Sequence, residues 1–149
     1  MKKLAIAAAL ALAATSASAL ELGVTGTRDY SGSNRNFGGI TLGQSFGKAN
    51  ATVGFERSTV GDNDQNRWSL VGGYDVAKLG PVTVTPRLGV AYLDNQIGED
   101  GYAATVGVGA SVPVAKKVSL GLAVDRQYGQ DRVEQFDGNR VTVGVKYRF

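Results

Sequence analysis

The stretch that decides the fold is residues 139–149, which read N-R-V-T-V-G-V-K-Y-R-F. One parity is apolar and consists of Val141, Val143, Val145, Tyr147 and Phe149, and the other consists of Arg140, Thr142, Gly144, Lys146 and Arg148. Because side chains of a strand point alternately to opposite faces, this pattern predicts a strand with one apolar and one polar face. An aromatic last residue on the apolar face is unusual, since chain ends tend to fray and be polar.

Four residues of this strand carry a resemblance: Thr142, Gly144, Tyr147 and Phe149. A polar residue, a glycine two positions later and two aromatics separated by one residue resemble the C-terminal assembly signal of bacterial outer-membrane β-barrels. A C-terminal strand of a soluble β-sandwich is the alternative interpretation. The patterns in the rest of the chain distinguish the two.

The N-terminal segment has the parts of a secretory signal peptide. Lys2 and Lys3 precede an Ala/Leu-rich run over residues 4–14, and residues 16–19 have the A-x-A-like form of a cleavage site. The run is nearer a dozen residues than the ~20 that a spanning helix needs, which disfavours a membrane anchor. We therefore predict a signal peptide over residues 1–19 and one mature domain over residues 20–149.

The composition excludes several classes of site. The chain has no cysteine and no histidine, so disulfides, thiol catalysis and Ser-His catalysis are excluded. Of 16 basic and 13 acidic residues, two lysines belong to the predicted signal, which leaves 14 against 13, a balance that does not suggest nucleic acid. Asp62, Asp64, Glu99 and Asp100 lack the glutamate spacing of a calcium loop, so we interpret them as solvated charge. We expect no metal, no cofactor and no catalytic residue.

From Leu20 onward the same alternation recurs about every sixteen residues. It predicts eight strands of about ten residues, the length that a tilted strand needs to cross a bilayer. The predicted strands are 20–27, 37–47, 51–59, 67–76, 82–93, 101–112, 118–128 and 139–149. Short turns are expected at 48–50, 77–81 and 113–117, and the other connections are longer and more polar. Short periplasmic turns and longer extracellular loops are typical of membrane barrels, so we expect both termini to face the periplasm.

The residue types on the two parities predict which face of each strand is turned toward the lumen and which toward lipid. The polar parity is dominated by Gly, Ala, Ser and Thr, which suit a crowded lumen and lack the charge density of a solvated exterior. The apolar parity carries Val and Leu at mid-strand and aromatics near strand ends, as the interfaces of a membrane barrel require. Tyr30, Trp68, Tyr92, Tyr102 and Tyr128 are predicted beside the longer loops, and Phe46, Tyr74, Tyr147 and Phe149 beside the turns. A soluble lipocalin-like barrel would have its apolar face inward and its polar face outward.

Six charged residues on the inward parity are predicted to lie in the lumen: Glu56, Arg67, Arg87, Asp125, Arg140 and Lys146. Glu21 and Arg148 are on the same parity, and Arg148 lies near the periplasmic mouth. An eight-stranded barrel encloses little more than its own side chains, and isolated buried charges are costly, so these residues must pair. Hairpin register predicts Glu56 with Arg67 and Asp125 with Arg140, whereas Arg87 has no adjacent partner in sequence and Lys146 lies near the periplasmic mouth. We interpret the set as a plugging polar core, with an ion path as the alternative.

Two further features concern the barrel wall. Pro86 falls inside the fifth predicted strand and cannot donate to a ladder, so we expect a bulge or a local gap there. Arg28, Arg57 and Arg126 lie on the lipid-facing parity at loop ends of strands, where a basic side chain costs little and could meet lipid phosphates.

From the signal to Phe149, the chain resembles the small eight-stranded outer-membrane barrels of the outer membrane protein X and outer membrane protein A type. The resemblance implies an all-β, up-and-down transmembrane barrel in outer-membrane lipid, inserted by the barrel-assembly machinery. It does not imply one activity, since such barrels include structural proteins, adhesins, pores and lipid-modifying enzymes. The missing histidine excludes the relatives that use a His-Ser pair.

We expect a monomeric, non-enzymatic barrel with a structural or loop-mediated role. A small porin for ions or small solutes is the first alternative, and a soluble exported barrel that binds a small ligand is the second.

Overall fold

The computed structural model describes residues 19–31, 34–60, 63–95, 100–130 and 137–149, and almost all of them lie in strands. The strands are β1 (Leu20–Asp29), β2 (Asn36–Phe46), β3 (Ala49–Val60), β4 (Asn63–Tyr74), β5 (Ala77–Leu79), β6 (Val82–Asn95), β7 (Gly101–Ala115), β8 (Val118–Gly129) and β9 (Gly138–Arg148). Residues 1–18 of the predicted signal peptide lie outside the described residues. Within the described residues, no helix has the length and apolar character needed to span a membrane.

Antiparallel pairing joins the long strands into a closed barrel. Each pairs with the next long strand in sequence, including β4 with β6, and β1 also pairs with β9, so the ring of long strands has no free edge. The prediction of an eight-stranded up-and-down barrel is confirmed. The three-residue β5 is an addition, since residues 77–79 were expected to be turn and instead pair with Val82–Val84 at the start of β6.

The stagger of the barrel follows from the register. A path that steps from each residue to its register partner on the next strand starts at Leu20 and passes through Gln44, Ala51, Gly72, Leu88, Val106 and Arg126 to Asn139. The Asn139 carbonyl accepts a hydrogen bond from Tyr30 N at 2.8 Å, so the path returns to β1 at Tyr30, ten residues beyond Leu20. A shear of ten over eight strands corresponds to a strand tilt of about 40°.

The connections define two ends of the barrel. At the turn end lie the short turns, Leu20 and Phe149; at the loop end β1, β3, β6 and β8 end and β2, β4, β7 and β9 begin. The expected turn at 48–50 is Gly47–Lys48, with Gly47 at φ 65°, and the expected turn at 113–117 narrows to residues 116–117. At the first of these turns the ladder extends further than predicted because Gly47 supplies the left-handed conformation that a two-residue hairpin favours.

The expected loop between the third and fourth strands was also too long. Residues 60 and 63–66 belong to β3 and β4, which remain paired out to Val60 and Asn63. The backbone groups of these residues are satisfied in the ladder whether a side chain is polar or apolar, so polarity alone did not distinguish strand from loop.

Pro86 lies where the neighbouring wall is interrupted. The ladder between β4 and β6 ends at the pair Gly73 and Arg87, and the ladder between β5 and β6 begins at Val84. On its other side Pro86 is in register with Val108. Pro86, which cannot donate a backbone hydrogen bond, therefore lies where the ladder on the β4 side of β6 is interrupted, and the predicted local gap is confirmed.

The apolar parity faces outward. Val24 is 64% exposed, Leu88 68% and Val143 56%, whereas the buried apolar side chains among the described residues are Phe37, Ala91, Leu93, Ala103 and Ala123. The predicted assignment of faces is confirmed, and the soluble ligand-binding barrel is contradicted, because its apolar side chains would fill the interior. A belt of exposed Val and Leu around a closed wall is stable only against an apolar medium.

Candidate functional site

The interior of the barrel contains a buried charge cluster in its loop-end half, formed by Asp29, Glu56, Arg67 and Arg140. Glu56 Oε2 accepts hydrogen bonds from Arg67 Nη1 at 2.7 Å and Arg140 Nη2 at 2.8 Å. Thr27 Oγ1 donates to Glu56 Oε1 at 2.5 Å, and Arg140 Nε lies 3.6 Å from Asp29 Oδ2. We call these four residues the Glu56 cluster. The predicted pair of Glu56 and Arg67 forms, and it belongs to a larger network.

A second ion pair corrects the prediction for Asp125. Its Oδ1 lies 3.6 Å from Arg87 Nε, so its partner is Arg87 rather than Arg140. Gly107 of β7 is in register with both Arg87 on β6 and Asp125 on β8. A glycine between them leaves no side chain in the way, and a Cβ there would collide with the Asp125 carboxylate. Arg87 therefore reaches across an intervening strand.

Arg140 lies between two carboxylates in register, Asp125 on β8 and Asp29 on β1. Its guanidinium turns toward β1, over the Phe37 ring at 5.4 Å and onto Glu56. That side offers two carboxylates, and Glu56 must also balance Arg67. Since a buried charge is stable only when it is closely paired and hydrogen-bonded, the side with more acceptors determines the direction of Arg140.

Beyond the Glu56 cluster, toward the loop end, the interior is filled by side chains. Gln65 is 0% exposed, Gln127 and Leu93 are 1% exposed, and Ser58 is 2% exposed. These residues come from four different strands, β3, β4, β6 and β8. In the part of the chain that the structure describes, the loop-end half is a packed core.

The turn-end half contains a cavity of about 180 Å³, which we call the vestibule. The Glu56 cluster lies at one end of it, and Glu21, Asn50, Asp75, Lys146 and Arg148 lie at the turn end. Glu21 pairs there with Arg148 at 2.5 Å and with Lys146 Nζ at 3.8 Å. Among the described residues no group of three or more acidic side chains could hold a metal ion. The vestibule is a polar space lined by four acidic and five basic side chains.

The predicted interface aromatics lie at two levels of the outer surface. At the loop end, Tyr30, Trp68, Tyr102 and Tyr128 are exposed, and Tyr92 is half-buried with its ring 5.1 Å from Tyr102. At the turn end, the exposed rings are Phe46, Tyr74, Tyr147 and Phe149. Between the two levels the outward residues are mainly Val and Leu.

The four residues of the predicted assembly signal occupy both faces of β9. Thr142 Oγ1 lies 2.9 Å from Thr27 Oγ1 in the lumen, and Gly144 lies where a Cβ would come 3.0 Å from Thr25 Cγ2. Tyr147 and Phe149 face outward with ring centroids 5.1 Å apart, and Phe149 N donates to Leu20 O. Their recognition during assembly stays a prediction.

Comparison with known proteins supports the fold rather than a sequence family. No family model and no curated protein matches the chain. The crystal structure of Neisserial surface protein A matches with a TM-score of 0.65 at 16% identity, over 90% of this chain and 98% of that one. Ail, the attachment invasion locus protein of Yersinia pestis, matches at 0.58 and 14%, over 89% and 97% of the two chains. Outer membrane protein W of E. coli matches at 0.58 and 12%, over 89% and 98%. The chain has the fold of the small eight-stranded outer-membrane barrels.

Within this outer-membrane barrel fold, several lumen residues were missed by sequence reasoning. Asp29 and Gln65 were assigned to connections, yet both lie in strands with their side chains buried. Glu21 was placed on the inward parity without a role, and it is the partner of Lys146 and Arg148. The available signal was parity: each of the three continues the inward alternation of its strand.

Proposed function

We propose that this chain is an outer-membrane barrel with both termini in the periplasm, whose role is structural or mediated by its loops and involves no catalysis and no conduction. The observation that carries the proposal is the outward apolar belt between two levels of aromatic residues. Apolar residues at mid-height and amphipathic rings at both edges match the hydrocarbon core and the two interfaces of a bilayer.

The packed loop-end half supports a closed lumen. The Glu56 cluster joins β1, β3, β4 and β9 across the interior, and Gln65, Gln127 and Leu93 fill the space beyond it. An ion crossing this region would have to displace a buried, hydrogen-bonded network, which is costly. A structural barrel, whose exposed loops make the contacts, needs no passage.

A small pore is the second candidate, and the vestibule is the observation that favours it. The cavity is lined by charged and small polar side chains, as a water-filled path would be. For conduction, the vestibule would have to connect with the loop end through the Glu56 cluster. Conductance measurements therefore separate the two functions.

Two experiments test the proposal. The protein should fractionate with outer membranes and migrate in gels as a heat-modifiable band; recovery as a soluble periplasmic protein would refute the membrane location. In planar bilayers, the purified protein, shown to be inserted by protease protection of parallel vesicles, should give silent traces or rare small steps. Steady, uniform channels would establish the pore instead.

A further inference from the structure

Two outward arginines near the loop end share one local arrangement. Arg28 on β1 and Arg126 on β8 each precede an outward tyrosine by two residues, in the segments Arg28-Asp29-Tyr30 and Arg126-Gln127-Tyr128. The guanidinium carbon lies 5.8 Å from the Tyr30 centroid in the first and 5.7 Å from the Tyr128 centroid in the second. Since each tyrosine is one side-chain step nearer the loops, both arginines extend toward the membrane surface.

Each guanidinium also donates to an asparagine on the neighbouring strand. Arg28 Nη1 donates to Asn36 Oδ1 at 3.0 Å, and Arg126 Nη1 lies 3.4 Å from Asn139 Oδ1. A ring and an amide therefore hold each cation in place while part of its planar fork of donors stays free. The arrangement is the same on two strands that flank β9.

The shear of the barrel places the two arginines at the same height. Arg28 is in register with Val141 of β9 and Arg126 with Asn139, so Arg126 lies two residues nearer the loops along the strand direction. A shear of ten over eight strands means that register partners two strands apart differ in height along the barrel axis by 2.5 residues. From β8 to β1 this difference raises the partner on β1 toward the loops, and it offsets the two residues by which Arg126 is ahead of Arg28 in register. The two arginines are therefore level to within half a residue, with Cα atoms about 12 Å apart.

A third outward arginine provides the contrast. Arg57 on β3 forms an ion pair with Asp64 of β4, which neutralises it. Among the described residues, no carboxylate pairs with Arg28 or Arg126. Within the described ranges, Arg28 and Arg126 are thus two fixed cations without a counter-charge, level with each other below Tyr30 and Tyr128 at the height where lipid phosphates lie.

We propose that Arg28 and Arg126 clamp anionic membrane lipid at the loop-end surface of the bilayer, with one phosphate group held at each guanidinium. The proposal rests on the membrane location proposed above. Charge complementarity carries it, because a guanidinium binds phosphate through two parallel hydrogen bonds. Arg28 leans toward β2 and Arg126 toward β9, so the two guanidinium groups are displaced in the same direction and each can hold its own phosphate. Asn139, between the two strands, supplies a further polar group beside Arg126.

The test is native mass spectrometry of the folded barrel in neutral detergent, titrated with dioleoyl phosphatidic acid, dioleoyl phosphatidylcholine or inorganic phosphate. We expect tighter binding of phosphatidic acid than of phosphatidylcholine and no competition by inorganic phosphate at equal concentration. Arg28→Gln and Arg126→Gln should each reduce the number of tightly bound phosphatidic acid molecules from two to one, and the double variant should bind phosphatidic acid about fivefold more weakly at both positions. Arg57→Gln is the matched control, and it should leave the affinity unchanged.

Equal affinity of the double variant and the unmodified protein would overturn the clamp, as would an equal loss with Arg57→Gln, which would indicate general surface charge. Competition by inorganic phosphate would indicate a small-anion site and overturn the assignment to lipid. Heat-modifiable migration in phosphatidylcholine vesicles is scored separately for every variant. A failure of the unmodified protein to insert there would refute the membrane location, whereas loss of lipid preference in an inserted variant concerns the clamp alone.

Discussion

Replacement of Glu56 by glutamine should destabilise the inserted barrel more than any other single charge removal in the lumen. The carboxylate accepts from Arg67, Arg140 and Thr27, and all of these residues are buried. Removing one member of a buried pair costs about 3–5 kcal/mol, because the remaining charge is left without compensation. Arg140 retains Asp29 at 3.6 Å, and the vestibule can supply water to Arg67, so we expect about 3 kcal/mol, the lower end of that range.

The assay is reversible urea unfolding of the barrel in lipid vesicles, followed by tryptophan fluorescence. At an unchanged slope, a loss of about 3 kcal/mol lowers the midpoint by about 1–3 M urea. Arg57→Gln is the control, because it breaks an ion pair whose arginine side chain is 57% exposed and should cost less than about 1 kcal/mol. Equal midpoints for the two variants would refute the reasoning, since they would mean that the lumen charges are hydrated rather than buried.

Three other predictions concern the wall and the C-terminal strand. Leu122→Arg, on the lipid face, should lower the free energy of unfolding by about 2–4 kcal/mol in the same urea assay; comparable damage from its inward neighbour change Ala123→Ser would reverse the assignment of faces. Deleting Phe149, or changing Tyr147 and Phe149 to serine, should reduce the yield of heat-modifiable protein in outer membranes, and an undiminished yield would remove them from the assembly signal. Gly39→Val should lower thermal stability, because its Cβ would lie 2.7 Å from Cγ of the central lumen glutamate, and an unchanged melting temperature would show that the wall can move away.

The sequence alone determined the number of long strands, their approximate positions and the two parities. Alternation is a local property, since the pleat sends successive side chains to opposite faces whatever the tertiary structure. Strand ends were less certain. Polar residues such as Gln65 and Asp29 continue a strand as readily as they form a loop, because the ladder satisfies the backbone in either solvent or membrane.

The pairing of the lumen charges was decided only by the closed barrel. Hairpin register brought together Glu56 and Arg67, which are 11 residues apart, but Arg140 reaches Glu56 over a separation of 84 residues, which depends on the pairing of β9 with β1. Arg87 finds Asp125 because Gly107 leaves the space between their strands empty. The level position of Arg28 and Arg126 likewise depends on the shear, a property of the whole ring of strands. These contacts depend on the closure and the shear of the barrel, which no local sequence pattern contains. Each pair of strands has only its own register, and the shear is the sum of all the registers once the last strand pairs with the first.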